Sequence, residues 1–103
     1  MTTDRPNIIY ILADDMGYGD VSCLNEHSKI RTPHLDRLGR EGLRCLDAHA
    51  SSAVCTPSRY SILTGRYNWR SRLQSGIVDV FGPPLIGADQ LTVGKLLQQA
   101  GYQ

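Results

Sequence analysis

Long apolar runs, blocks of like charge and a cysteine framework are all missing from this 103-residue sequence. No stretch approaches the ~18 apolar residues that mark a membrane-spanning helix, so no membrane partner is expected. Eleven Lys and Arg stand against ten Asp and Glu, for a formal net charge of +1. No basic run offers itself to nucleic acid or to an anionic membrane surface. Three cysteines, Cys23, Cys45 and Cys55, make no disulfide scaffold, and a Cys23–Cys45 bridge is not expected on the compartment reading that follows. Residues 1–6 carry neither the apolar stretch nor the small-residue cleavage site of a secretory leader. The expected location is therefore cytoplasmic as written, and periplasmic or secreted where a leader lies upstream. Internal repeats and low-complexity tracts are also missing. What is left is ordinary globular composition, 41% hydrophobic, and a length that fits at most one small domain at roughly 100–200 residues each.

One stretch stands out against that background: Cys55-Thr56-Pro57-Ser58-Arg59-Tyr60-Ser61-Ile62-Leu63-Thr64-Gly65-Arg66. It predicts a short helix with Thr56 as N-cap, Pro57 at the first helical position and Gly65 as the left-handed stop. Ile62 and Leu63 can face a core. Cys55 then sits at the positive end of the helix dipole, a favourable place for an anion or an activated nucleophile. Arg59, four residues on, can bring its guanidinium to the same anion.

Residues 7–13, Asn-Ile-Ile-Tyr-Ile-Leu-Ala, form a continuous β-branched run that reads as a strand buried on both faces, the kind found in parallel sheets covered by helices. Asp14 and Asp15 follow at once. Ligands in open α/β sheets bind beyond the carboxyl ends of strands, and two adjacent carboxylates there repel unless a cation lies between them. Taken alone, they are equally ordinary turn residues. Asp20 reads as structural. Cys23 and His27 resemble half a zinc site with no second pair to complete it. Thr32 and Pro33 open a helix that Gly42 closes, with Leu35, Leu38 and Leu43 as its inner side and Asp36–Arg40 as an i,i+4 pair. Residues 43–50 read as a second strand, and His49 as a hydrogen-bonded structural histidine. Beyond Arg66 a long loop carries Trp69, Arg70 and Arg72, placed to pack or to touch substrate. Thr92 starts a last helix with Val93, Leu96, Leu97 and Ala100 on one stripe and Gly101 as its stop. A βαβ unit returns to its sheet after the helix, and here the returning strand is not reached.

Cys-x-Pro-Ser-Arg followed by Leu-Thr-Gly-Arg resembles the signature of the type I, formylglycine-dependent sulfatases. Ala-Asp-Asp-Met-Gly-Tyr-Gly-Asp, residues 13–20, resembles that family's first metal-binding segment, and Thr-Pro-His-Leu-Asp-Arg-Leu its following helix. The resemblance runs over essentially the whole chain, as the N-terminal portion of a sulfatase catalytic domain spanning residues 1–103. It implies an α/β fold of the alkaline-phosphatase-like sandwich type, a central mostly parallel sheet flanked by helices, with only the N-terminal portion present. It implies that Cys55 is oxidised to Cα-formylglycine by a formylglycine-generating enzyme, and that the hydrated aldehyde attacks the sulfur of a sugar or aryl sulfate ester. The second hydroxyl of the diol then expels sulfate, which a serine or a plain cysteine could not do. Asp14, Asp15 and residue 55 as formylglycine would hold Ca²⁺, with Mg²⁺ as the alternative, through hard oxygen donors. Arg59 would hold the diol or the transferring group; for Arg66 a structural salt bridge is expected. The other metal ligands and the sulfate-binding lysines and histidines would lie beyond Gln103, so the 103-residue chain alone is expected to be inactive. Two other readings stand beside this one: a phosphonate or phosphate-ester hydrolase of the same superfamily, and an inactive truncated sulfatase fragment.

Overall fold

Each helix of the chain begins within one residue of a threonine and ends within two residues of a glycine. In the computed structural model, which describes residues 5–103, α1 covers Pro33–Glu41, α2 Cys55–Thr64 and α3 Val93–Gln99. Two single 3₁₀ turns, Tyr18–Asp20 and Asn68–Arg70, complete the regular structure. Residues 1–4, on which the reading of a missing leader partly rests, lie outside the described residues. The chain divides into two units: residues 8–48, and residues 49–103 together with the segment before Ile8.

Neither expected strand forms. Among the described residues there is no strand, so the central sheet of the expected sandwich is not seen. Ile9 and Ile11 are each 84% exposed, not buried on both faces. Branching at Cβ favours extended backbone, but a strand exists only where a neighbour takes up its N–H and C=O groups. Residues 43–50 contain a turn at Leu46 and Asp47 instead of a strand.

Within residues 8–48 the organising feature is a polar latch, not an apolar core. Pro33 takes the first position of α1, where its missing N–H costs nothing. The Thr32 hydroxyl does not cap the helix. It accepts the Ser22 N–H at 2.9 Å and donates to Asp36 Oδ1 at 2.9 Å. The Ser22 hydroxyl donates to Asp36 Oδ2 at 2.6 Å and the Cys23 N–H to Asp36 Oδ1 at 2.9 Å. Asp36 therefore turns to the preceding loop and not to Arg40, and the ion pair on α1 is Arg37–Glu41 at 2.9 Å. The Arg44 guanidinium donates to the Cys23 carbonyl at 3.2 Å. Leu35, Leu38 and Leu43 are 41%, 67% and 89% exposed, so the apolar side expected of α1 is not a buried face here.

The latch carries a pH signature. The Ser22 hydroxyl above all holds the Asp36 carboxyl below the usual carboxylate range; burial opposes it, and the Thr32 hydroxyl and Cys23 N–H add to the lowering. A carboxyl depressed in the folded state contributes fully above its unfolded pKa and loses that contribution as pH falls through the lower folded value. Exchange protection of the Ser22 and Cys23 amides is thus expected to persist in mild acid and to fall only in strong acid. In Asp36→Asn that dependence should vanish.

In residues 49–103 the core is small and sits under α2. Tyr60 is 4% exposed and Leu73 7%, and Pro57 of α2 is also buried. The Tyr60 hydroxyl accepts a hydrogen bond from Gln90 Nε2 at 3.0 Å. The buried Asn68 donates through Nδ2 to the Leu73 carbonyl at 2.9 Å, and its own carbonyl accepts from the Ser71 N–H and hydroxyl at 2.9 and 2.5 Å. The loop after Arg66 is therefore closed by its own polar groups, with Tyr67 stacked on Trp69 at 4.1 Å between ring centroids. Trp69 stacks on Tyr67 and is still 52% exposed.

Helix ends follow the glycines. Gly65 has φ 65° and ψ 17°, and its N–H returns to the Ser61 carbonyl at 2.8 Å. Nothing lies within 4 Å of a Cβ built there, so Gly65→Ala meets only the left-handed backbone penalty. The expected cost is about 1–2 kcal/mol, read as a lower melting temperature. At the end of α3, Tyr102 N–H bonds to the Leu97 carbonyl at 3.0 Å and Gly101 N–H to the Gln98 carbonyl at 2.9 Å, with Gly101 at φ 85°. That pair of bonds is the Schellman stop. The Arg5 guanidinium donates to the Gly101 carbonyl at 3.1 Å and occupies the place a Cβ would take. Thr92 caps the other end of α3, accepting the Lys95 N–H at 3.3 Å.

Candidate active site

Helix α2 starts two residues earlier than its sequence suggests. Val54 is the N-cap, with extended φ −130° and ψ 161°, and Cys55 is the first helical residue. Pro57 falls at the third position, still within the four residues whose N–H groups have no helical partner. No side chain caps this end, and Pro57 has no N–H to offer. The N–H groups of Cys55 and Thr56 therefore lie at the positive end of the dipole, where an anion is favoured.

The rest of the segment is tied inward. The Ser58 hydroxyl donates to the Ser52 carbonyl at 2.8 Å and fixes the approach to the helix. Ser61 and Thr64 back-bond to the Pro57 and Tyr60 carbonyls at 3.0 and 2.7 Å. Thr56, expected as the cap, instead accepts the Val78 N–H at 3.4 Å, which draws the later loop to the start of the helix. Cys55, Arg59 and Leu63 are the exposed residues of α2, with Cys55 and Arg59 one turn apart. All three cysteines are free thiols.

Asp14 and Asp15 belong to the other unit, residues 8–48, and both are exposed. Asp15 has φ 52° and is the one non-glycine residue with positive φ among the described residues. Aspartate tolerates this conformation better than most side chains. In an extended chain, neighbouring side chains point to opposite faces; a left-handed residue breaks that alternation. Residues at such angles cluster at functional sites. Among the described residues no three His, Cys, Asp or Glu side chains gather into a metal-holding group. Carboxylates are hard oxygen donors of the kind that suit calcium or magnesium.

Other expectations resolve simply. Asp20 is structural, accepting the Gly17 N–H at 2.7 Å. His27 is exposed and lies 3.6 Å from Glu26. Arg66 forms no ion pair among the described residues, contrary to expectation. Arg72 donates to the Pro83 carbonyl. Sequence reasoning missed the Thr56–Val78 bond, and it missed Tyr60 with its Gln90 partner. An aromatic two residues after Ser58, three after the buried Pro57, was the available sign.

A family model described as Sulfatase matches residues 6–103. The chain belongs to the sulfatase family. It is 44% identical over 100 residues to an N-acetylgalactosamine-6-O-sulfatase of Bacteroides thetaiotaomicron, covering 97% of this chain and 19% of that protein. It is 42% identical over 100 residues to arylsulfatase G of Homo sapiens, covering 95% and 18%. With the steryl-sulfatase of Mus musculus it shares 42% identity over 105 residues, covering 94% and 16%. The chain thus spans less than a fifth of the length of these curated relatives. No solved structure matches it significantly.

Proposed function

We propose that this chain contributes the nucleophile-bearing part of a sulfuric ester hydrolase, with Cys55 converted to formylglycine by a formylglycine-generating enzyme. The observation that carries this reading is an exposed Cys55 at the first position of α2, with exposed Arg59 one turn on, in a chain of the sulfatase family. Arg59 holds the sulfate oxygens through its planar fork of donors. The Cys55 and Thr56 N–H groups add partial positive charge where negative charge develops. Once formed, the aldehyde at residue 55 supplies, as its hydrate, a nucleophile that ordinary side chains lack. Asp14 and Asp15 are the donors this chain offers to a calcium or magnesium ion. Residues 7–13, which form no strand here, would on this reading become one where the other strands of an alkaline-phosphatase-like α/β sandwich take up their backbone groups.

The relatives' names span sugar, aryl and steryl sulfates, so they leave the alcohol of the ester open. Nothing on this chain favours the phosphonate reading. The test is hydrolysis of matched aryl sulfate and aryl phosphonate esters by a chimera of the Bacteroides relative with residues 6–103 in place of its matching segment, co-expressed with the modifying enzyme. Turnover of the sulfate over the phosphonate supports the proposal, and the reverse preference overturns it.

A further inference from the structure

The hydroxyl of Thr56 stands between the backbone of the later loop and the side chain of residue 55. Its Oγ1 accepts the Val78 N–H at 3.4 Å and lies 4.0 Å from Cys55 Sγ, a long contact of the kind sulfur's size allows. A hydroxyl has two lone pairs and one proton. The Val78 N–H can only donate, so it takes a lone pair and leaves the proton for another acceptor. Among the described residues, Cys55 Sγ is the other atom paired with this hydroxyl.

The Val78 end of the pair is held in place. Val78 is half-buried and precedes a turn closed by the Gly82 N–H on the Asp79 carbonyl at 2.9 Å. A Cβ built on Gly82 would come within 3.1 Å of Val78 Cγ1, so the turn folds against Val78 with nothing to spare. At the other end, α2 fixes Thr56 at its second position, between Cys55 and the buried Pro57. All of these residues belong to the unit that contains residues 49–103.

Charge at residue 55 decides the direction of the contact. With a neutral thiol, either atom can be the donor. A thiolate has no proton, so the hydroxyl must donate to it. The same holds for an oxygen anion at residue 55 when the hydrated aldehyde acts as nucleophile. A hydrogen bond to the charged form favours that form. The competing reading is that Thr56 only ties the loop to the helix. Under it, removing the hydroxyl loosens the loop and leaves the exposed Cys55 as reactive as before, or more so.

The structure assigns Thr56 as a positioning residue: its hydroxyl, oriented by the Val78 N–H, donates to the side chain of residue 55 when that side chain is anionic. The bearing of this contact on turnover rests on the sulfate-ester reading above; the contact itself does not.

The test reads Cys55 before conversion and residue 55 after it. The full chain with Cys55 unconverted is alkylated with iodoacetamide at neutral pH, and the three cysteine peptides are followed by mass spectrometry. Thr56→Val keeps the shape and removes the hydroxyl. It is expected to slow Cys55 by about 3-fold, because lost thiolate stabilisation outweighs the gain in intrinsic nucleophilicity. Cys23 and Cys45 are the internal references and should not change. Thr56→Ser should restore the parent rate, and concentrated urea should abolish the difference. Cys55 in Thr56→Val reacting as fast as in the parent or faster, Thr56→Ser as slow as Thr56→Val, or a difference that persists in urea overturns the inference. In the Bacteroides chimera, Thr56→Val is expected to lower kcat for an aryl sulfate, per aldehyde formed, by about 5-fold with KM little changed, and Thr56→Ser to keep it. An unchanged kcat in Thr56→Val overturns the role in the reaction and leaves the sulfate-ester reading standing. Slowed alkylation in a chimera whose parent hydrolyses no sulfate ester supports the contact and removes the sulfate-ester reading.

Discussion

In the chimera of the Bacteroides relative that carries residues 6–103, Cys55→Ala is expected to lower sulfate-ester turnover by at least about 10⁴-fold, the scale seen when a covalent nucleophile is removed. Two features make this a clean experiment. Cys55 is exposed, so no packed thiol is deleted and no cavity is left. It is also the first residue of α2, where alanine is a good helix former and the turn is held by the Ser58–Ser52 bond instead. Melting temperature should therefore stay near that of the parent while turnover disappears. A hydrazine-type aldehyde probe should label the converted parent and leave Cys55→Ala unlabelled. Turnover within 10-fold of the parent would mean that the nucleophile lies elsewhere.

Substitution of Asp15 has the second largest expected effect. Positioning partners one step removed from a metal cost 10–100-fold in affinity when lost, so loss of a carboxylate proposed to hold the ion directly should cost at least about 100-fold. The left-handed backbone of Asp15, φ 52°, lets charge and conformation be told apart. Asn tolerates that conformation and removes the charge; Ala removes the charge and adds a backbone penalty of about 1–2 kcal/mol. Both should weaken calcium binding by calorimetric titration, with Ala also lowering the melting temperature. Turnover of Asp15→Asn should recover at high calcium, whereas Cys55→Ala should not. Unchanged calcium affinity in both variants would remove Asp15 from the donor set.

How much could be read beforehand differs by element, for physical reasons. Helices were legible because their signals are local. Thr32-Pro33 with Gly42 bounds α1, Gly65 ends α2, and Thr92 with Gly101 bounds α3, each through bonds within a few residues. The start of α2 shifted because Pro57 is compatible with any of the first positions, and the sequence alone does not choose among them. Strands were not legible in the same sense. The run over residues 7–13 states a preference for extended backbone, but its partners are long-range, and Ile9 and Ile11 stay exposed without them. Side-chain hydrogen bonds were the least visible. Asp36 had Arg40 at helical spacing, yet Ser22, fourteen residues back, supplies a 2.6 Å bond that no periodicity reports. Of the candidate site, the placement of Cys55 and Arg59 on one helix was readable from the motif. The Thr56–Val78 bond depends on where the loop returns, which only the fold decides.

The central claim is that residue 55 leaves ribosomal synthesis as cysteine and becomes an aldehyde. Mass spectrometry of the peptide spanning residue 55, after co-expression of the full chain with a formylglycine-generating enzyme, tests it most directly. The account predicts replacement of the thiol and one hydrogen by a carbonyl oxygen at residue 55, with Cys23 and Cys45 unchanged. An intact Cys55 thiol under conditions that convert a known sulfatase would contradict it.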